Sequence, residues 1–167
     1  GMNCSYRFDC VEDNWYGIKH INKNGPDRFV DIEDKSKDDG KVLHLWEADD
    51  DKVKGNNHRQ FAFYYVGDDA NGNSQYYIQN RNSGLWMGFE DTDKNGKPSY
   101  GDKIIQTKKE KRKLWIVTPA VIPKSGNESE DLIKTETGQA YCEIYNPGTI
   151  ESINRNSDSV TNGTGLH

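Results

Sequence analysis

The chain has 167 residues, with 22 basic and 27 acidic side chains and a net charge of -5 at pH 7. That length suits one domain with one core, and the mild acidity argues against nucleic acid, because phosphate binding needs a basic footprint. No apolar run approaches the ~20 residues of a membrane span, and Cys4, Cys10 and Cys142 form neither a disulfide framework nor a zinc pattern.

The composition is polar, with a mean hydropathy of -1.01. Leu, Ile, Val and Phe together number 31, about 19% of the chain, near the ~20% below which disorder is expected when net charge is high. Here the charge is modest, and 18 aromatic residues supply the missing bulk. Gly1 ahead of Met2 reads as an expression scar. With Met2 as the native start the chain would be cytoplasmic; with a trimmed signal it would be secreted.

Taken in chain order, the first alternating run is Phe8-Asp9-Cys10-Val11. A second spans Tyr16–Asn22 and a third Arg28–Ile32, followed by an Asp39-Gly40 turn and a fourth run at Val42–Trp46. The series then restarts at Phe61-Ala62-Phe63-Tyr64, Tyr76–Asn82, Leu85–Phe89, the Asn95-Gly96 turn and Ile104–Lys108. It restarts again at Trp115-Ile116-Val117-Thr118, Cys142–Gly148, Thr149–Ile153, the Asn162-Gly163 turn and Gly165–His167. Phe8, Phe61 and Trp115 lie 53 and 54 residues apart. Period-two alternation punctuated by Asn-Gly and Asp-Gly turns is the signature of strands, and a fixed period across the chain marks an internal repeat.

The prediction is an all-β fold: a β-trefoil of three four-strand repeats, twelve strands with pseudo-threefold symmetry, occupying residues 2–167 as a single domain. Residues 119–137 form a long loop insertion where the other units have short connections. Cys10 and Cys142 fall at inward positions as small hydrophobes, and Cys4 is an exposed thiol. The basic run Lys108-Lys109-Glu110-Lys111-Arg112-Lys113 reads as a solvated hairpin, with a polyanion site as the alternative.

The stretch from Phe29-Val30-Asp31-Ile32 through Asp39-Gly40-Lys41-Val42-Leu43-His44-Leu45-Trp46 to Arg59-Gln60-Phe61 resembles the ricin-type β-trefoil lectin family. That family carries Leu-Asp-Val, a Gly turn, an apolar–polar–Leu-Trp strand and then Gln-x-Trp. The Gln of the last motif falls at Tyr6, Arg59 and Lys113, and the repeat starts with the strand that usually ends a unit, so that the barrel is expected to close between Phe8 and Leu166. The resemblance implies a sugar site in unit one. Asp31 would bind hydroxyls, Trp46 would stack on the pyranose, and Asn57, His58 and His44 would complete the polar contacts. At the Asp31 position the other units carry Gly88 and Ser152, and at the Trp46 position unit two carries Lys108, so at most one such site survives.

A second motif, Asp91-Thr92-Asp93-Lys94-Asn95-Gly96 with Asp102 at position twelve, fits the start of a calcium loop. Its flanking strands and Pro98 make a plain hairpin turn the leading alternative; calcium through Asp91, Asp93, Asn95 and Asp102 is the other, and no further cofactor is expected. The histidines are scattered, and no nucleophile motif or phosphate loop is present, so no enzyme activity is expected. The function implied is a non-catalytic carbohydrate-binding module with a glycan as its ligand. The alternative is a protein-interaction or inhibitor module, with another protein as the partner.

Overall fold

The structure, a computed structural model, describes residues 6–12, 14–20, 25–90, 103–118, 143–146, 151–152 and 162–167. Its strands in unit one are β1 (Tyr6–Glu12), β2 (Trp15–His20), β3 (Arg28–Ile32) and β4 (Leu43–Glu47). Unit two has β5 (Phe61–Asp68), β6 (Ser74–Asn80), β7 (Trp86–Phe89) and β8 (Ile104–Thr107). Unit three has β9 (Trp115–Thr118), β10 (Glu143–Asn146), β11 (Glu151–Ser152) and β12 (Thr164–Gly165). Among the described residues, each run expected from the sequence overlaps one of these strands.

The pairing follows the threefold repeat. β1, β2, β5, β6, β9 and β10 follow one another around a barrel, each bonded antiparallel to the next. Ile144 of β10 and Phe8 of β1 meet in the same core. The barrel strands alternate as a one-sided wall must: along β6, Ser74, Tyr76, Ile78 and Asn80 are buried and the residues between them are half-exposed. The hairpins β3–β4 and β7–β8 cap one end of the barrel. β12 joins this cap through β4, and the Ile104 amide donates to the Leu166 carbonyl at 3.0 Å. Leu43, Ile104 and Leu166, all fully buried, meet there. Leu166 therefore belongs to the cap rather than to the barrel wall.

Register also corrects the alignment of the units. Tyr16 faces Cys10 and Phe61, whereas Tyr76 faces Tyr65 and Trp115. Ile18, Ile78 and Ile144 face Phe8, Phe63 and Val117. The structural equivalent of Phe61 and Trp115 is thus Tyr6, not Phe8, and the three form one buried aromatic layer. A two-residue slip preserves the inward face of a strand, so the hydrophobic pattern alone does not distinguish the two alignments.

One element had no counterpart in the sequence reading. Between β4 and β5 lies α1 (Asp50–Lys54), five residues long. Asp49 caps it, its Oδ1 accepting from the Lys52 amide at 2.8 Å, and Asp50 and Asp51 occupy the first turn, where carboxylates favour the helix dipole. Its one buried residue, Val53, packs with Ala48 on Phe29 in a small second core. Gly17 on β2 permits this approach, because a Cβ there would lie 2.8 Å from Val53 Cγ1 and 3.1 Å from Phe29. Among the described residues no helix is long and apolar enough to cross a membrane.

Gly17→Ala is expected to lower stability by about 1–3 kcal/mol through overpacking, measured by urea denaturation. Adding Val53→Ala should return part of that loss. Independent, additive effects of the two changes would contradict the direct contact.

Candidate functional site

Unit one carries a cleft of about 340 Å³ between β3, β4 and the turn before β5. Asp31, at the inner side of β3, is only 4% exposed. Its Oδ1 accepts from the His58 Nδ1, its Oδ2 lies 3.7 Å from His44 Nε2, and Arg59 Nε stands 3.5 Å from the same Oδ2. His44 faces Asp31 directly across the β3–β4 pair. His58 and Arg59 arrive from the 3-10 turn Asn57–Arg59, both buried. That turn is held by Asn80, which donates from Nδ2 to the His58 carbonyl at 3.0 Å. It is held also by Gln60, whose Nε2 donates to the carbonyls of Val53 and Lys54.

The chemistry of the cluster follows from Asp31. Burial alone would push its carboxyl up, but the nearby His44, the hydrogen bond from His58 and the charges of His58 and Arg59 outweigh that and hold it below its ordinary 3.8. An ionised carboxylate only accepts, so His58 donates to it from Nδ1. The other ring nitrogen, Nε2, is buried and has no hydrogen-bond partner among the described residues, which costs about 1–3 kcal/mol unless a partner satisfies it.

Trp46 forms the mouth of the cleft. It is 40% exposed and stacks on His44 with ring centroids 5.5 Å apart and planes at 28°. The Asn162-Gly163 turn braces it from unit three: Asn162 Oδ1 accepts from the Glu47 amide at 2.8 Å, and Gly163 donates to the Leu45 carbonyl. Gly163 takes φ 86, a conformation that glycine tolerates at no steric cost. On the opposite rim, Asp34 and Lys35 hold φ of 60 and 54. Left-handed backbone in such residues costs on the order of 1–3 kcal/mol each and gathers at ligand sites.

Of the residues expected at the sugar site, Asp31, His44, Trp46 and His58 all line this cleft. Asn57 sits exposed at the start of its turn, outside the lining. Asp91, Asp93, Asn95 and Asp102 lie outside the described residues. Arg59, Asp34 and Lys35 were not foreseen. In the sequence Arg59 stands where the resemblance puts a glutamine, and its place next to His58 at the end of a polar connection is the usable signal. The register also places Thr107, rather than Lys108, at the Trp46 position of unit two, since Trp46 faces Phe29 and Thr107 faces Trp86. Among the described residues of unit two, the position equivalent to Asp31 is crowded: a Cβ at Gly88 would meet Thr107 Cγ2 at 2.9 Å and the Lys111 carbonyl at 3.3 Å.

Among solved structures the chain is similar to the crystal structure of ThreeFoil, a designed 3-fold symmetric protein. The TM-score is 0.57 over 83% of this chain and 79% of that one, at 16% identity. The chain has a β-trefoil fold. No family model matches it, and neither does any curated protein.

Because the carboxyl of Asp31 is lowered in the folded state, its contribution to stability is present above 3.8 and is lost as pH falls through the folded value. Asp31→Asn should remove that share. The urea midpoint of the parent is expected to fall more steeply below pH 4 than that of the variant. Parallel acid limbs would overturn the assignment.

Proposed function

We propose that the protein is a non-catalytic, lectin-like carbohydrate-binding module of the ricin type, with its sugar seated in the unit-one cleft. The observation that carries this reading is the exposed Trp46 ring, which opens onto the same cleft as Asp31 and His58. An aromatic face beside a few convergent polar groups suits a pyranose, whose C–H face stacks while its hydroxyls are hydrogen-bonded.

The geometry changes the division of labour within that reading. Asp31 Oδ1 is taken by His58, and Oδ2 faces His44 and Arg59 at 3.7 and 3.5 Å, so Asp31 acts chiefly as a positioning residue. His58 Nε2 and Arg59 Nε, both buried without a hydrogen-bond partner among the described residues, are the groups left for sugar hydroxyls, Trp46 supplies the stacking surface, and Lys35 and Asp34 stand at the rim. One site of this size on a rigid scaffold is expected to bind weakly, with Kd of roughly 0.1–1 mM, or about 4–5.5 kcal/mol.

Truncating Asp31 to Ala would confound binding with folding, since removing one partner of a buried charge cluster costs about 3–5 kcal/mol. Trp46, partly exposed, is the informative position. A glycan array followed by calorimetry with the tightest neutral sugar tests the reading. Trp46→Ala is expected to weaken binding at least tenfold, about 1.4 kcal/mol, with the fold intact by circular dichroism. A variant that binds like the parent, or a parent that binds no neutral glycan at about 10 mM, would sink the proposal.

A further inference from the structure

Unit two carries a second surface of different chemistry on the outer wall of the barrel. Tyr64 on β5 faces Tyr77 on β6, and Gln79 on β6 faces Trp86 on β7. Tyr64 is 46% exposed, donates its hydroxyl to Gln79 Oε1 at 2.9 Å and packs on Trp86 at 5.2 Å. Over these rings lies Arg112, its guanidinium carbon 3.7 Å from the Tyr77 centroid and 4.7 Å from that of Trp86.

The equivalent ring positions in unit one are covered by α1. By register, Tyr64, Tyr77, Gln79 and Trp86 correspond to Asp9, Gly17, Lys19 and Phe29. There Val53 of α1 packs directly on Gly17 and Phe29, Phe29 is fully buried, and Lys19 is tied to Asp9 at 3.3 Å. In unit two the connection is the shorter stretch 108–114, whose backbone packs on Gly88 and Met87. It brings a cation rather than an apolar helix over the aromatic positions. That stretch holds five bases against one acid, and Lys108, Lys109 and Lys111 are exposed. Among the described residues no carboxylate pairs with Arg112.

We infer that Tyr64, Trp86 and Arg112 form a second site, for an acidic sugar: a pyranose bearing a carboxylate or a sulfate. Stacking on the rings orients the guanidinium and leaves its N–H edge for a planar, bidentate anion contact. Tyr64 offers its exposed ring to the sugar face. The surrounding lysines supply charge complementarity that a neutral sugar would not use. The site is separate from the unit-one cleft and does not rest on it.

The test is calorimetry of the full chain with a galacturonate oligosaccharide, a sulfated heparin tetrasaccharide, a neutral maltotetraose and oligo-dT, in low salt. One or both acidic sugars should bind with Kd of roughly 0.1–1 mM, and preference between them identifies carboxylate or sulfate as the anion. Arg112→Gln and Tyr64→Ala should each weaken binding about tenfold, while Lys52→Gln, an equal loss of charge on α1, should not. Added salt at about 1 M should weaken binding as screening shortens to ~3 Å. The inference is overturned if no acidic sugar binds, if maltotetraose binds equally, or if Arg112→Gln and Lys52→Gln behave alike. Equal binding of oligo-dT would also overturn it, marking a non-selective polyanion surface.

Discussion

A carboxylate buried at Asp31 constrains much of unit one. An ionised group at that depth is tolerated only with partners that satisfy it, and here they come from two directions. His44 is supplied by the neighbouring cap strand, whereas His58 and Arg59 must be delivered by the connection that follows. The connection 48–60 is therefore long enough to turn back over β3, and α1 fills the space beneath it. Val53 docks on Phe29, Gln60 ties off the helix end, and Asn80 anchors the turn from unit two. The stacking of Trp46 depends on the same cluster, because its partner ring is His44.

Much of this architecture was legible in the sequence. Strand positions were, because each barrel strand has one dry face and period-two alternation records it directly. The repeat was, because three copies of one packing problem need similar residues at similar spacing. Register was not. Tyr6 and Phe8 both point inward, so either can be matched to Phe61, and Ile104-Ile105 is apolar at two successive positions, which hides the one-residue offset that puts Thr107 opposite Trp86. These ambiguities belong to the pattern itself; hydrogen bonding to a second strand removes them.

At the cleft, residue identity was more legible than residue role. Asp31, His44, Trp46 and His58 were named from a local resemblance, and they do gather around one cleft. Their division of labour was not readable, since the decisive contact joins positions 27 apart through a turn with no periodicity. α1 was missed for a related reason. Five residues are too few to show a helical period, and only the Asp49 cap and the Gly55 stop mark its ends.

The two units show how one scaffold supports different surfaces. Their barrel strands and caps superimpose in register, so the scaffold does not account for the contrast. The connection after the cap hairpin does. A long one in unit one brings an imidazole and a guanidinium inward onto a carboxylate and covers Phe29 with an apolar helix. A short one in unit two packs its backbone against Gly88 and lays Arg112 outward across aromatic rings. A side chain at Gly88 would crowd Thr107 and the Lys111 carbonyl, so the missing Asp31 counterpart in unit two and the close approach of the 108–114 connection go together.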